Sequence, residues 1–529
     1  MTKAKVLISD SMSSQAAAIF EDRGVEVVQS SKLSEAELFE MIGEFEGLAI
    51  RSSTQVTEEL LKHATKLKVV GRAGIGVDNV DVAACTRRGV IVMNTPLGNA
   101  ITTAEHAMAM MLSLARHIPQ ANSSTRQGKW EKTKFMGMEL TGKMLGLIGA
   151  GNIGSIVAAK ALGYGLRVQA YDPFLTEERA DKLGVSKVTL DELLANSDII
   201  SLHVPKTPET TNIISASAMN KMKAGSLLIN CARGGLVDEL ALYAALSSGH
   251  LKGAALDVFE VEPARENPLF ELDNVICTPH LGASTIEAQE KVALQVAEQI
   301  SDYLTTGAVN NAINAPSISA EESRLLKPYL YLSKCLGSFV GQLTHDPIKS
   351  VTITYGGEAN KLNVNPLSNQ VIQSILEHHS SSINSVNARE VARERNIDII
   401  EAHNEGRDEY PCRITVTVET ESKIRGISGT LIQNRPRVID VKGIPLESKL
   451  GEHMLYITNL DTPGVIGHIG TTAAERGINI ANMHLGRDND KGEAMVLLEI
   501  DEQISGEDLV LLRGLPNIHD AQYLHFPAY

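Results

Sequence analysis

Residues 144–154 read Met-Leu-Gly-Leu-Ile-Gly-Ala-Gly-Asn-Ile-Gly, and most of the chain can be placed relative to this stretch. Its first five residues form a short apolar run that is typical of a buried strand. Gly149, Gly151 and Gly154 follow with the spacing G-x-G-x-x-G, and residues 155–162 continue with small and apolar side chains at helical spacing. The stretch therefore predicts a strand, a tight glycine turn and a helix.

These residues have the properties that a dinucleotide site requires. Gly149 permits the turn, and Gly151 leaves room for a pyrophosphate to approach the backbone. Gly154 allows the helix to pack closely on the strand, with the helix N-terminus facing the phosphates. Asp172 ends the next apolar strand, about 20 residues further on. Its carboxylate can bind ribose hydroxyls and would repel a 2′-phosphate, so NAD is predicted rather than NADP. A glycine turn without a ligand is the alternative interpretation.

The composition is typical of a globular protein with several domains. The chain has 529 residues, of which 43% are hydrophobic and 21% charged, and this length predicts about three to four domains. The net charge of −15 argues against general nucleic-acid binding, although a local basic pocket can still hold a small anion. No apolar run approaches the ~20 residues of a membrane span, and no signal-peptide core precedes the first strand. We therefore expect neither a nucleic-acid partner nor a membrane partner.

The cysteine pattern bears on compartment and metal binding. The cysteines are scattered along the chain at Cys85, Cys231, Cys277, Cys335 and Cys412. None belongs to a C-x-x-C pair, so neither a disulfide framework nor a metal site is indicated. Free thiols fit a reducing compartment. The pattern predicts a cytoplasmic protein without a bound metal.

The first 98 residues alternate short apolar strands with helices, which predicts a mostly parallel sheet. One strand ends in Arg51 and a later one leads to Arg72. Ligands of such sheets lie beyond the carboxyl ends of the strands, where two guanidinium groups can bind a phosphate or a carboxylate. Two solvated loop arginines are the alternative, which the shared position at strand ends disfavours.

Beyond Asp172, three successive strands lead to Arg233, Glu262 and His280. Histidine is the natural acid and base near neutral pH, and a guanidinium binds a carboxylate with two hydrogen bonds. We expect Arg233 to bind the substrate carboxylate and carbonyl, His280 to transfer the hydroxyl proton, and Glu262 to orient the imidazole ring. A lone histidine is more simply explained as a satisfied core or loop residue, and we interpret His106 and His203 in that way.

Outside these motifs the sequence indicates structural segments and no further catalytic cluster. An Ala- and Met-rich helix over 102–116 is predicted to be buried, and the segment around Trp130 is predicted to be an arm that packs on a second subunit. Residues 317–450 show only a charged helix near 388–396 and a hairpin over 424–439. Residues 452–529 follow the order β-α-β-β-α-β of a ferredoxin-like unit.

Four motifs resemble the D-isomer-specific 2-hydroxyacid dehydrogenase family. They are Gly149–Gly154, Cys231-Ala-Arg-Gly-Gly-Leu-Val-Asp238, Leu256-Asp-Val-Phe-Glu-Val-Glu-Pro263 and Thr278-Pro-His-Leu-Gly-Ala-Ser-Thr285. The resemblance covers about residues 1–316. Residues 51–53, 72–79 and 128–131, together with two C-terminal domains, are similar to the long-form branch of that family, which acts on a phosphorylated substrate.

This resemblance implies an α/β protein of four domains. They are a flavodoxin-like substrate-binding domain (1–98 and 287–316), a doubly wound Rossmann-type NAD-binding domain (99–286), an α+β intervening domain similar to allosteric substrate-binding domains (317–451) and a ferredoxin-like ACT domain (452–529). It also implies NAD-dependent oxidation of 3-phospho-D-glycerate to 3-phosphooxypyruvate, the first committed step of serine synthesis. The implied assembly is a homotetramer, or at least a dimer.

The resemblance further implies a set of site residues. Arg233, Glu262 and His280 match the catalytic positions. The residues expected around the cofactor are Gly149, Gly151, Asn152, Ile153, Gly154, Asp172, His203, Val204, Pro205, Thr210, Cys231, Ala232, Asp257, Gly282 and Ala283. The residues expected around the substrate are Arg51, Ser52, Arg72, Gly74 and, from a neighbouring subunit, Lys132. Relatives often carry arginine at positions 152 and 132, so one pyrophosphate cation is absent here and one phosphate contact is weaker.

The last domain resembles ACT domains that bind L-serine as an effector. The matching residues are Asn459, Asp461, Gly464, Val465, Asn479 and Ile480. Gly464 would allow close backbone approach, and the polar side chains would bind the ammonium and carboxylate groups. An ACT fold used only for assembly is the alternative. His453, just ahead of this domain's first strand, is interpreted as a surface residue.

Two rival functions remain at the level of sequence. The first is a glyoxylate or hydroxypyruvate reductase with the same catalytic trio, against which the Arg51–Arg72 pair and the two C-terminal domains argue. The second is a non-enzymatic regulator that senses NAD on this fold, against which the intact trio argues. A side activity on 2-oxoglutarate is also compatible with the sequence.

Overall fold

Four β-sheets organise the computed structural model, which describes residues 3–526 except 32, 97, 381–382, 407–408 and 489–491. The first sheet has five parallel strands in the order β2-β1-β3-β4-β5, the flavodoxin-like order. Its elements are β1 (Lys5–Ile8), α1 (Ser14–Asp22), β2 (Glu26–Gln29), α2 (Glu35–Met41), β3 (Gly47–Ile50), α3 (Glu58–His63), β4 (Val69–Arg72), α4 (Val82–Arg87) and β5 (Ile91–Asn94). All four side-chain positions of β3 are buried, as expected for the middle of a parallel sheet.

The second sheet has seven parallel strands in the order β12-β11-β10-β9-β6-β7-β8. Its elements are α5 (Ala100–Ala115), α6 (Ile118–Arg126), β6 (Met144–Ile148), α7 (Asn152–Gly163), β7 (Arg167–Tyr171), α8 (Glu177–Leu183), β8 (Ser186–Lys187), α9 (Leu190–Asn196), β9 (Ile199–Leu202), α10 (Ala216–Lys221), β10 (Leu227–Asn230), α11 (Glu239–Ser247), β11 (Gly253–Leu256) and β12 (Val275–Cys277). The strand order reverses between β6 and β9. This is the point at which doubly wound sheets bind ligands beyond the carboxyl ends of their strands.

A long helix, α12 (Ile286–Thr306), carries the chain from the second sheet back to the first. Thr285 caps its N-terminus by accepting a hydrogen bond from the Ala288 N–H. Its apolar face, including Val296 and Ile300, is buried in one core with residues of β1, β3, β4 and β5. The segment after the nucleotide motifs therefore completes the core of the first sheet.

The third sheet has six strands in the order β14-β13-β15-β16-β17-β18. Its elements are α13 (Ala320–Leu343), β13 (Ile348–Gly357), α14 (Asn365–Leu376), α15 (Ala388–Glu394), β14 (Asp398–Asn404), β15 (Cys412–Thr420), β16 (Ile424–Ile432), β17 (Arg435–Val441) and β18 (Ile444–Ser448). The sequence predicted α15 and the β16–β17 hairpin but missed α13. That helix begins with a capping box formed by Ser319 and Glu322 and continues through Pro328, which breaks the sequence pattern of a helix.

The fourth sheet is antiparallel, with the order β20-β21-β19-β22. Its elements are β19 (His453–Leu460), α16 (Val465–Glu475), β20 (Ile480–Asp488), β21 (Glu493–Ile500), α17 (Gly506–Arg513) and β22 (Ile518–His525). This order confirms the predicted β-α-β-β-α-β arrangement of a ferredoxin-like unit. Alternate residues of β19 and β21 form one apolar core with buried residues of the two helices. Among the residues that the structure describes, no helix is both long and apolar enough to cross a bilayer.

Candidate active site

The glycine turn after β6 has the geometry of a dinucleotide-binding turn. Gly149 has a φ of +97°, and a Cβ atom added to it would lie 2.5 Å from the carbonyl oxygen of His203. A Cβ atom on Gly154 would lie 2.1 Å from the carbonyl oxygen of Gly149, so this glycine lets α7 approach the strand. A Cβ atom on Gly151 would meet no atom within 4 Å. The free space over Gly151, at the N-terminus of α7, fits the pyrophosphate of a dinucleotide.

Asp172 lies beside this turn, at the end of β7. One carboxylate oxygen accepts a hydrogen bond from the Ala150 N–H at 2.9 Å, and the other accepts one from the Phe174 N–H at 2.8 Å. These bonds fix the carboxylate at the edge of the turn. Its remaining lone pairs are available to ribose hydroxyl groups, as NAD binding requires.

The different surroundings of Gly151 and Gly154 predict that substitution by alanine affects NAD binding at the first position and stability at the second. Gly151→Ala is expected to fold normally and to raise the KM for NAD, because the new methyl group occupies only ligand space. Gly154→Ala is expected to lower the melting temperature, because its methyl group collides with backbone that cannot move away. Thermal unfolding and NAD titration of both variants check this. Equal loss of stability in the two variants would contradict the geometry.

His280 and Glu262, which the sequence predicts to be an acid–base pair, are in direct contact. His280 Nδ1 lies 2.7 Å from Glu262 Oε2, and Glu262 Oε1 accepts a hydrogen bond from the Phe259 N–H at 3.0 Å. Burial alone would raise the pKa of Glu262, but the hydrogen bond from His280, the Phe259 N–H and the charge of the imidazolium together lower it. Glu262 is therefore a carboxylate that orients the ring and leaves Nε2 free for a substrate. The His280 side chain is half exposed to the cleft.

The loop that carries His280 is held by a buried carboxylate. Asp257 is fully buried, and its oxygens accept hydrogen bonds from the Leu281 N–H (2.7 Å), the Gly282 N–H (2.8 Å) and the Thr278 hydroxyl (2.5 Å). His106 Nε2 lies 3.2 Å from the same carboxylate. Although burial raises the pKa of Asp257, these bonds, that of His106 first, lower it below its usual value. Asp257 was predicted from the sequence to contact the cofactor. Its hydrogen bonds indicate that it also holds the loop that carries His280.

Arg233 reaches from the second sheet to the first. Asn230 fixes the turn after β10, since its side-chain amide donates to the Arg233 carbonyl at 2.9 Å and its amide oxygen accepts from the Ala232 N–H at 3.1 Å. The Arg233 Nε then donates to a carboxylate oxygen of Asp78 at 3.0 Å. Neither Asp78 nor Asn230 was predicted from the sequence; the contact of Asp78 with Arg233 joins segments that are far apart in the chain.

The glycines of the loop after β4 make room for two guanidinium groups. A Cβ atom on Gly74 would lie 1.7 Å from Arg72 Nη1, and one on Gly76 would lie 1.9 Å from Arg233 Nη2. Burial, together with the positive charges of Arg233 and Arg51, lowers the pKa of Arg72 to about 10. In the described part of the chain, Arg72 Nε is buried without a hydrogen-bond partner. A cationic group in this state is stabilised by an incoming anion.

Arg51 and Ser52 lie at the end of β3, beside the same cluster. Asp10 organises the turn that carries them, because its carboxylate accepts hydrogen bonds from the Arg51 N–H (2.6 Å) and the Ser53 N–H (3.2 Å). The Asn79 side chain donates to the Arg51 carbonyl at 2.8 Å. The positive charge of Arg51 acts on Arg72, so the structure brings both predicted anion-binding arginines together.

The remaining residues expected around the cofactor lie at the carboxyl edge of the second sheet. Thr210 Oγ1 donates to the Pro205 carbonyl at 2.7 Å, and the side chain of Val204 lies against Gly149. Cys231 is buried, and this burial raises the pKa of its thiol, so it remains a neutral wall of the cleft. The others in this group lie in three segments that follow strands: Asn152 and Ile153 after β6, Ala232 after β10, and Gly282 and Ala283 after β12. Direct contact of each with NAD stays a prediction.

Lys132 is the one predicted substrate residue that the structure does not bring to the arginine cluster of its own chain. It lies on the exposed arm that follows α6, with Nζ 5.9 Å from the ring centre of Trp130. Trp130 is 78% exposed and Met136 75% exposed. A contact of Lys132 with the phosphate from a neighbouring subunit stays a prediction.

His203 gives the nucleotide turn a pH dependence. Its ring lies 2.9 Å from the Ser201 hydroxyl, and burial lowers its pKa from 6.5 to about 4. Since the folded state disfavours the protonated ring, the stabilisation is complete above pH 6.5 and is lost as pH falls towards 4, amounting to about 3 kcal/mol. The free energy of unfolding of the wild type is expected to decrease as pH falls through this range. His203→Gln should reduce the slope of that free energy against pH. An unchanged slope in the variant would show that other groups cause it.

The predicted effector residues occupy the two opposite ends of the fourth sheet. Asn459 pairs with Ala494 at the start of β21, whereas Ile480 pairs with Ile500 at its end. Ala494 and Ile500 are six residue steps apart along β21, which corresponds to roughly 20 Å. Asn459, Asp461, Gly464 and Val465 are together at one end, and Asn479 with Ile480 is at the other. Within one chain, the structure does not join them into a single site.

Comparison with known proteins agrees with this arrangement. A family model described as "D-isomer specific 2-hydroxyacid dehydrogenase, NAD binding domain" matches residues 108–282, and one described as "D-3-phosphoglycerate dehydrogenase intervening domain" matches residues 325–442. The D-3-phosphoglycerate dehydrogenase of Synechocystis sp. is 42% identical over 98% of this chain and 94% of its own length. The chain belongs to the D-3-phosphoglycerate dehydrogenase family. The member of that family from Bacillus subtilis is 41% identical over 99% of this chain and 100% of its own length.

A solved structure supports NAD as the cofactor and matches only part of this chain. The D-lactate dehydrogenase of Aquifex aeolicus, complexed with NAD and lactic acid, is 29% identical and superposes with a TM-score of 0.53. It matches 59% of this chain and 100% of its own length. This member of the D-3-phosphoglycerate dehydrogenase family thus shares the two-lobed dehydrogenase core, uses NAD, and continues into further sheets.

Proposed function

We infer that this chain oxidises 3-phospho-D-glycerate to 3-phosphooxypyruvate with NAD, the first step of L-serine biosynthesis. The observation that carries the inference is the approach of Arg72 and Arg233 from opposite sides of one cleft, with Arg51 near them. A substrate with a carboxylate at one end and a phosphate at the other is matched by these separate cationic groups. The relatives from Synechocystis sp. and Bacillus subtilis are D-3-phosphoglycerate dehydrogenases, and their name indicates the same substrate.

Each residue of the cleft has a separate role in this reaction. Gly151 and Asp172 would hold NAD, which would supply the acceptor for the hydride that leaves C2 of the substrate. Arg233 binds the carboxylate and orients C2. His280 Nε2 accepts the hydroxyl proton, and Glu262 stabilises the imidazolium that results, since its carboxylate lies 2.7 Å from Nδ1. In the reverse direction His280 returns the proton to the carbonyl oxygen.

We assign the substrate phosphate to Arg51 and Arg72. Arg72 Nε is buried and unpartnered in the described part of the chain, and Arg72 lies among other positive charges. A phosphate placed there forms charge-assisted hydrogen bonds and removes the repulsion between the guanidinium groups. A substrate without a phosphate gains neither effect.

The first measurement is NADH absorbance with phosphohydroxypyruvate or hydroxypyruvate as substrate. We expect a strong preference for the phosphorylated substrate, and Arg72→Gln should reduce the ratio of the two kcat/KM values by about 10- to 100-fold. Turnover of hydroxypyruvate should change little. Equal turnover of both substrates by the wild type would favour a hydroxypyruvate or glyoxylate reductase, and no turnover of either would favour a regulator.

The domain boundaries follow the four sheets in this proposal. Residues 1–98 and 287–316 form the substrate domain, 99–286 the NAD domain, 317–451 the intervening domain and 452–529 the ACT domain. The exposed Trp130 and Met136 support an arm that packs on a second subunit, and a homotetramer is the assembly that we propose. Free cysteines, four of them buried, support a cytoplasmic location.

We also infer an L-serine effector site between two ACT domains. Asn459 is buried, and its amide oxygen has no partner in the described part of the chain; Gly464 at the start of α16 has a φ of +99°. Because Asn479 lies at the far end of its own sheet, one site must combine Asn459 of one chain with Asn479 of another. Serine should therefore inhibit NADH turnover, and either Asn→Ala change should abolish the inhibition. Insensitivity of the wild type to serine would leave the ACT domain with assembly alone.

A further inference from the structure

Three potential metal ligands converge where the chain enters and leaves the fourth sheet. One ligand atom from each of Glu452, His453 and His525 lies within 4.8 Å of the other two. Among the residues that the structure describes, this is the only group of three or more His, Cys, Asp or Glu side chains that close together. The cluster takes no part in the dehydrogenase chemistry, which occurs in the cleft between the first two sheets.

Strand pairing builds the cluster. His453 is the first residue of β19 and His525 the last residue of β22, and the two residues face each other in the antiparallel register. Their ring centres are 5.4 Å apart. The Phe526 N–H donates to the Glu452 carbonyl at 2.9 Å, so the backbone beyond both histidines is also paired. Two histidines held opposite each other in this way need only side-chain rotation to bind one ion.

Neighbouring groups restrict how these side chains move. His453 Nδ1 lies 2.5 Å from the Tyr523 hydroxyl, an outer-shell hydrogen bond of the kind that orients metal-binding histidines. The His525 backbone bonds to Gln342 of α13 in both directions, with its N–H donating at 2.9 Å and its carbonyl accepting at 3.0 Å. The cluster therefore lies at the contact between the fourth sheet and a helix of the third.

We propose that Glu452, His453 and His525 form a binding site for a divalent transition-metal ion, best matched by Zn²⁺. Two imidazole nitrogens and one carboxylate oxygen are the donor set that Zn²⁺ takes with three protein ligands and one open position. Harder ions such as Mg²⁺ prefer sites made entirely of oxygen ligands, whereas two of the three ligands here are imidazole nitrogens. Bound there, the ion ties the first strand of the fourth sheet to its last, beside α13.

The cysteine pattern could not indicate this site. Its two histidines are separated by the whole of the fourth sheet in sequence, and they meet only because β19 pairs with β22. Tyr523 lies two positions before His525 on the same strand, on the same face of the sheet. The signal in the sequence is an alternating Tyr-x-His, which is too common to interpret by itself.

The test uses the full-length chain, stripped of metal with a chelator and titrated with Zn²⁺ by calorimetry. We expect binding that weakens by roughly tenfold or more in His453→Gln and in His525→Gln, and to a smaller extent in Tyr523→Phe. His519→Gln, on the same strand as His525, and Cys277→Ser, which removes the exposed thiol, should bind as the wild type does. Circular dichroism and NADH turnover establish that each variant is folded. Turnover is a suitable check because none of these residues takes part in it.

A second readout excludes binding elsewhere on the surface. Co²⁺ should give visible absorption bands in the wild type and in His519→Gln, and these bands should be absent from the His453→Gln/His525→Gln double variant. Zn²⁺ should also raise the melting temperature of the wild type but not of the double variant. Unchanged Zn²⁺ affinity in the folded double variant, or no Zn²⁺ binding by the wild type, would overturn the proposal.

Discussion

His280→Asn is expected to lower kcat by about 10²- to 10⁴-fold, the usual contribution of a positioned acid–base group. His280 has a φ of +54°, and asparagine adopts this left-handed conformation readily, so the catalytic loop should keep its shape. The amide cannot accept the hydroxyl proton. Steady-state NADH kinetics in both directions measure the loss, and the KM for NAD should remain near the wild-type value because the nucleotide turn is untouched.

His117→Asn is the matched control for this change. His117 has a φ of +53° and precedes α6. It lies near Lys252 and Asn274, which precede β11 and β12, and thus at the edge of the sheet opposite the cleft. Full activity in His117→Asn, together with a large loss in His280→Asn, assigns the effect to proton transfer. A small loss in both variants would mean that another group moves the proton.

Glu262→Gln separates orientation from proton transfer at the same site. Glutamine can still hold the ring of His280 but carries no charge to stabilise the imidazolium. We expect a loss in kcat that is smaller than in His280→Asn. If both changes cost the same, the carboxylate is as necessary to the reaction as the imidazole.

Arg233→Gln is expected to lower kcat/KM by about 10²- to 10⁴-fold, because two hydrogen bonds to a carboxylate, each worth about 1.5–3 kcal/mol, are lost. Arg233→Lys should restore only part of this loss, since an ammonium group cannot form the bidentate contact. Kinetics with phosphohydroxypyruvate as the varied substrate measure both variants.

Asp78→Asn distinguishes substrate binding from a purely structural contact. Arg233 Nε donates to Asp78 at 3.0 Å across the cleft, and the Asp78 side chain is 65% exposed. If Arg233 only joins the two lobes, removing either partner should cost the same. If Arg233 binds the substrate carboxylate, Asp78→Asn should keep most of the activity while Arg233→Gln loses it.

Much of the nucleotide half follows from local sequence. The spacing of Gly149, Gly151 and Gly154 specified a turn whose steric requirements the structure reproduces one glycine at a time. The strands on both sides are short apolar runs, and their order in the chain is enough to place the following loops on one edge of a parallel sheet. For this reason the sequence alone predicted that Arg233, Glu262 and His280 lie on the same edge of the sheet.

The third sheet was harder to anticipate. Helix α13 contains Pro328, and its apolar face is recognised only once the strands of the third sheet supply a partner. β13 and β15 form a long antiparallel pair whose residues face a helix on one side, so their burial depends on packing that the sequence does not display. Local propensity was therefore a weak guide in this region.

The sequence by itself determined the glycine turn and the acid at the end of β7, and it placed Arg233, Glu262 and His280, the predicted catalytic residues, after successive strands, because each of these features depends on residues close together in the chain. Only the tertiary structure decided which distant groups support them. Asp257 and His106 meet beneath the catalytic loop, Asp78 and Arg233 pair across the cleft, and His453 faces His525 through strand pairing. Such contacts arise from the closure of long chain segments. The alternation of apolar and polar residues predicts that strands form, but it does not specify which side chains they bring together.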